Sequence, residues 1–599
     1  MKPAWQRASF LAVAILLVSC SVTPGSKMPV KESGHQRTAD PPTLARQLRS
    51  PPPWAYEEFL LAELAVGMGD REEGGRHFRR ALSEDPDSPE LRLRLAEIAM
   101  QKGSHEEALR LAEEALGVDP AYPRAHLITA RLLSERDPAR ARALLLQVLS
   151  LWPGELQAYL LLAPLERRKG GAEAERTVYE KMLEKDPDNL DGLLGLALAL
   201  GRLGLDAEAS KVLRRACNAH PFAVDPWLRL ARKMVLVGKW DRAAHWLYLG
   251  LEATGDDPSL AEELFRLWLA RGRHERARDL VVLLSGHETA ATLTQVANLR
   301  ERLGDDPGAE GALQSALRQD PSFGPALVDL ARLWSRRGNT AAARRVLEDQ
   351  SPGSVLFAFA RRELAAQREA AGEWVEAEKV LRGILEAGSA DGATAESLAF
   401  LQARTGSLQR GLESLERARL ARGLLSDDPG HRYSLALLLE EAGQWPRAQR
   451  LANAQLDRDP DDAQVLNLLG YGLAERGIEL DRALGLLRAA LRLDPLNPYF
   501  LDSLGWALVK KGRPGEAQPF LERSVLLDRR LCEAWAHLGE ARLAAGATES
   551  SRAAWEEARA CFPGESARAV ASGRLRALSG YMRKTIEPWV PRARTRLFE

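Results

Sequence analysis

Four cysteines, Cys20, Cys217, Cys532 and Cys561, are the side chains of this 599-residue sequence best suited to covalent chemistry. The motifs of common catalytic sites are missing. There is no GxxxxGKS/T, GxSxG or HExxH, and no GxGxxG follows a strand pattern, so the phosphate-cradling, acyl-transfer and zinc-protease chemistries have no anchor. The ten histidines are dispersed, without the short paired spacing of zinc ligands. Carboxylates are plentiful, but glutamates at helix starts and opposite arginines are what a solvated helical face carries. Thiol chemistry and recognition by aromatic side chains remain. The chain therefore reads as a non-enzyme, with no metal and no cofactor expected.

The elements that position these residues follow from one repeated pattern. In the stretch from Leu466 to Asp528, Leu466, Leu469, Gly470 and Leu473 precede Gly477, Ala483, Leu487, Ala490 and Pro495; Leu501, Leu504, Gly505 and Leu508 then restart the cycle. The same template fits a ladder of glycines at Gly69, Gly103, Gly170, Gly204, Gly238, Gly272, Gly304, Gly338, Gly372, Gly406, Gly443, Gly477, Gly512 and Gly546, mostly 34 residues apart. One repeat, Arg124 to Trp152, has lost its glycine. Seven residues before each glycine stands a small residue, and only Phe265 breaks that rule. Apolar residues at i, i+3, i+4 and i+7 predict amphipathic helices, and each glycine falls where the first helix of a pair must stop. Small residues at the eighth and twentieth positions let two backbones approach, with large ones such as Phe78, Tyr179 and Trp555 filling the space beside them. Prolines such as Pro120, Pro187 and Pro460 keep the second helix from running on into the next pair. An isolated pair cannot bury its apolar stripe, so neighbours must stack.

A period of 34 with this spacing resembles the tetratricopeptide repeat, whose head signature W-x2-L-G is matched best at Trp535, Leu538 and Gly539. Fifteen copies cover Ala55 to Pro563. The resemblance implies an all-α fold, a right-handed α-solenoid of about fifteen stacked helix hairpins. It is expected as two arrays, 55–285 and 291–563, with either a hinge near residue 287 or plain loops in one continuous solenoid. Asp349 to Ser354, Gly388 to Ala393 and Leu424 to Gly430 are further interruptions.

Over Leu466 to Ser524, LGYGLAERG and LDSLGWALVKKG resemble periplasmic tetratricopeptide-repeat lipoproteins of Gram-negative bacteria. The resemblance implies an adaptor: some members bring cell-wall hydrolases to a processing protease, and others help assemble pili, secretins or polysaccharide exporters. Periplasmic proteins or peptides are the expected partners. In the repeat family the second, fifth, ninth, twelfth and thirteenth positions of the first helix face a concave groove. Carried onto this chain, they give Tyr433, then Asn467 and Tyr471, then Tyr499, Asp502, Trp506 and Lys510. Clustered aromatics at a groove are typical binding anchors; the alternative is that Trp506 and Tyr471 seal the interface between repeats. Leu190, Leu194 and Leu198 hold blander groove positions.

The cysteines then acquire places. Cys217, in a second helix, reads as a small buried residue. Cys532 opens the first helix of the last repeat and Cys561 closes its second, at the same end of one hairpin; a bridge and two separate thiols are both open. At the other terminus, Lys2 and Arg7 precede the apolar run Phe10 to Val18, a secretory signal pattern over residues 1–19. Leu17, Val18, Ser19 and Cys20 look like the lipobox of a bacterial lipoprotein, with Cys20 acylated and Ser21 favouring the outer membrane; the alternative is an ordinary signal peptide that contains a cysteine. Residues 20–53 read as a proline-rich disordered tether.

Lysine plus arginine and aspartate plus glutamate number 83 each, so bulk charge gives no case for nucleic acid. No run of eighteen apolar residues exists to span a membrane, leaving the lipid anchor as the only membrane contact expected. Residues 564–599 are basic and are expected as a capping helix and tail. The oligomeric state is open.

Overall fold

The computed structural model describes residues 52–286, 289–387, 392–422, 424 and 428–561. The signal segment, Cys20, the tether, the hinge position at residue 287 and the basic segment 564–599 lie outside the described residues. Two units are distinguished, Met1–Pro51 and Pro52–Glu599; the second holds all the described structure.

Every regular element among the described residues is a helix. There are twenty-nine, and one of them, Leu156–Lys185, is broken at Gly171, so thirty helical segments pair into fifteen hairpins. Repeat 1 is Pro53–Gly67 with Arg71–Glu84, and repeat 15 is Cys532–Ala544 with Thr548–Cys561. Each first helix packs on its own second helix and on the hairpins before and after it, as the apolar periodicity requires.

The ladder glycines end the first helices. At Gly512 the backbone turns left-handed (φ 76°), and the Arg513 N–H returns to the Leu508 carbonyl at 2.9 Å, capping orphan groups of the helix end. Repeat 4 departs from expectation. Gly171 (φ 73°), rather than Gly170, takes the left-handed turn there. Two adjacent glycines meet the steric requirement equally, so spacing alone chose the wrong one.

The small eighth position is a real close approach. A methyl group on Gly470 would meet Leu487 Cγ at 2.7 Å, and one on Gly505 would meet Leu521 Cγ at 2.5 Å. Phe265, the exception, is fully buried in the same apolar cluster as Ala277 and Val281 of its second helix; the Arg302 guanidinium lies over its ring at 4.8 Å. The turn at Asp349 to Ser354 cuts the second helix of repeat 9 to nine residues, Thr340–Glu348.

Burial is distributed along the stack in separate clusters. The largest runs from Ala197 to Leu333, passing through Leu284 and Ala290 on either side of the expected division between arrays, and takes in Leu496, Leu501 and Leu527 from repeats 13 and 14. Later hairpins thus return to pack on earlier ones.

Candidate partner-binding groove

The predicted groove residues sit on the first helices of repeats 12 to 14, Pro429–Glu441, Ala463–Glu475 and Pro498–Lys510. Each starts with a side-chain cap. Asp428 accepts from the His431 N–H, Asp462 from that of Val465, and Asn497 from those of Tyr499 and Phe500. Pro429 and Pro498 occupy the first turn, where a missing N–H costs nothing. These caps fix where each helix begins and hence which residues share its groove face.

Trp506 is the centre of the arrangement. Its ring stacks on His537 of repeat 15, centroids 4.2 Å apart and 15° from parallel. Its indole Nε1 donates to Glu475 Oε2 at 2.5 Å. The Lys510 ammonium lies 4.6 Å from the ring centroid and donates to the Glu475 carbonyl at 3.1 Å. His537 Nδ1 is 2.9 Å from Asp502 Oδ1. Trp506, Lys510, Asp502, His537 and Glu475 therefore form one connected group across three hairpins. Burial by itself would lower the His537 pKa, but the Asp502 carboxylate, with Glu533 and Glu475 farther off, outweighs it and holds the pKa above its ordinary value.

Tyr471 is half-buried on the neighbouring helix. Burial raises its phenol pKa, helped by the negative field of Glu533, Glu475, Asp502 and Glu440. Asn467, one turn away, has its Oδ1 enclosed with no hydrogen-bond partner. Tyr433 is half-buried with its hydroxyl 3.5 Å from Gln464 Oε1. Tyr499 keeps 59% of its surface exposed; its phenol is raised first by burial, then by Asp528, and is lowered by Arg530 and Arg302.

Two members of the group were not read from the sequence. Glu475 occupies the thirteenth position of its repeat, the same one Lys510 holds in the next, so the signal was available. His537 stands at the sixth position, beside the template, and only the stacking reveals it.

Cys532 and Cys561 are joined by a disulfide, with Cα atoms 5.3 Å apart across the ends of the last hairpin. Cys217 is free and buried, and burial pushes its thiol up to about 12. Among the described residues no group of three or more histidine, cysteine or carboxylate side chains is placed to hold a metal ion.

Sequence models of the tetratricopeptide repeat match residues 65–132, 131–189, 433–498 and 479–530. A curated protein of Komagataeibacter xylinus, cellulose synthase 1 operon protein C, is 28% identical over 186 residues, which is 31% of this chain and 12% of that protein. Among solved structures, yeast Tom70 is 15% identical with a TM-score of 0.31, covering 89% of this chain and 97% of its own. The Cut9–Hcn1 hetero-tetramer of APC/C is 15% identical with a TM-score of 0.29, covering 82% and 96%. A MamA structure is 21% identical with a TM-score of 0.25, covering 28% and 92%. Tetratricopeptide repeats are thus found over residues 65–189 and 433–530 of an all-α solenoid of helix hairpins, the architecture of a protein–protein interaction scaffold.

Proposed function

We propose that this chain is a non-enzymatic adaptor, held at the outer membrane by an acylated Cys20 and facing the periplasm, which recruits a protease or cell-wall enzyme to its substrate. The observation that carries the binding role is the groove of repeats 12 to 15. There Trp506 and Tyr471 offer half-buried aromatic surface. Large rigid aromatics supply contact area at small entropic cost. Location rests on Leu17 to Cys20 and the apolar run before it.

A second reading is an assembly factor of an envelope export machine, whether for a pilus, a secretin or a polysaccharide. The relative named for a cellulose synthase operon favours the polysaccharide branch. Affinity capture with the full chain carrying Cys20→Ser, run beside the same chain with Trp506→Ala and Tyr471→Ala, separates the two. A protease or wall hydrolase lost from the double variant supports the adaptor; a polysaccharide synthesis or export component lost instead supports the second reading. Partners captured equally by both chains place binding elsewhere and contradict the groove.

A further inference from the structure

Five arginines occupy groove positions in the first helices of repeats 4 to 8, and each reaches the end of a second helix far along the chain. Arg167 donates to the Arg458 carbonyl. Arg202 pairs with Asp461 at 2.8 Å. Arg232 and Arg266 both meet Asp494, at 3.4 and 3.3 Å, and Arg266 also donates to the Leu496 carbonyl at 3.2 Å. Arg302 donates to the Leu527 carbonyl at 2.9 Å. In return, Arg530 donates to Asn298 Oδ1 at 3.0 Å and pairs with Glu301 at 3.4 Å.

The chemistry is the same each time. A helix C-terminus exposes carbonyls without intrahelical partners and carries partial negative charge. Here each such end is followed by an acidic residue, Asp459, Asp494 or Asp528. A guanidinium, with its fork of donors, suits a carbonyl and a carboxylate together. Between these polar contacts Leu496, Leu501 and Leu527 are buried in the cluster built by repeats 5 to 9.

We infer that the groove of repeats 4 to 8 is an internal binding site occupied by the chain's own repeats 12 to 14, and that this contact is a latch. Adjacent hairpins meet along whole helices, whereas the latch is made by helix ends, a few ion pairs and three leucines. It is therefore the contact that opens first, with every hairpin still folded. Opening uncovers the five arginines while Arg202, Arg232, Arg266 and Arg302 keep their nearby partners Glu175, Glu263 and Glu262, so the groove of repeats 4 to 8 becomes available only in the open state. The latch also belongs to the hairpins that carry Tyr471 and Trp506 on their other helices, which links the two halves of the groove mechanically. This goes beyond the adaptor reading and stands without it, because it concerns the chain alone.

The test uses the full chain carrying Cys20→Ser in three forms: otherwise unchanged, with Asp461→Asn and Asp494→Asn, and with Asp461→Arg and Asp494→Arg. The aspartates are changed and the arginines kept, because Arg202 and Arg266 also neutralise the buried Glu175 and Glu263. X-ray scattering and amide exchange are read together, with circular dichroism as the fold control. The arginine variant is expected to show a larger radius of gyration and at least tenfold faster exchange confined to residues near 458–462, 493–497 and 527–531, with helicity retained, and the asparagine variant a smaller change in the same direction. Unchanged scattering and exchange in the arginine variant would overturn the latch. So would exchange that rises throughout the array, since the contact would then be ordinary core.

Discussion

The indole of Trp506 lies flat on the imidazole of His537, 4.2 Å away, while its Nε1 is tied to Glu475. The ring is thus fixed in place by two neighbouring hairpins and still keeps part of its surface exposed. Pre-set side chains of this kind lose little freedom on binding.

The His537–Asp502 contact makes the last repeats sensitive to pH. The His537 pKa is raised above its ordinary value of 6.5. Its contribution to stability is therefore fully present below the unfolded value and is lost as pH rises through the folded value. Thermal unfolding followed from pH about 5.5 to about 8.5 is expected to show a fall in Tm that His537→Gln removes. An NMR titration midpoint for His537 at or below 6.5 would contradict this.

The disulfide joins residues 29 apart in sequence, a closure expected to constrain the unfolded chain by about 3–4 kcal/mol. Cys532→Ser with Cys561→Ser should lower the stability of the terminal hairpin by that order. In the denatured, unreduced Cys20→Ser chain, thiol titration should find one reactive group, Cys217. Three reactive groups would exclude the bridge.

Gly171 combines φ 73° with ψ −169°, a region essentially closed to residues with a Cβ and costing them on the order of 1–3 kcal/mol. Gly171→Ala is expected to destabilise by that amount, and Gly170→Ala by less. Denaturant midpoints of the two variants check the order; equal shifts would contradict the assignment of the turn.

The proposed lipid anchor rests on Cys20 alone. If Cys20 is acylated, Cys20→Ser should release a folded array into the soluble fraction, because one acylated residue would supply the membrane affinity. Sedimentation with outer membranes after a high-salt wash would contradict the anchor.

What could be read in the sequence was local and periodic. The helix hairpins, the close approach at Gly470 and Gly505, and the exception at Phe265 all follow from spacing within one or two repeats. Gly171 was missed because its neighbour fitted the ladder as well. His537 was missed because the groove template takes the fifth and ninth positions and skips the sixth. The arginine row was illegible for a different reason: Arg266 and Asp494 are 228 residues apart, and no period within a repeat encodes which distant hairpin a superhelical turn brings back.

The most direct test of the central claim is the affinity of the captured partner for the chain with and without Trp506→Ala and Tyr471→Ala, measured by calorimetric titration beside thermal unfolding. Binding should weaken by about 2 kcal/mol or more, with little change in Tm. A collapse in Tm, with the remaining folded protein binding the partner at full affinity, would show that the two rings seal the repeats and that the groove lies elsewhere.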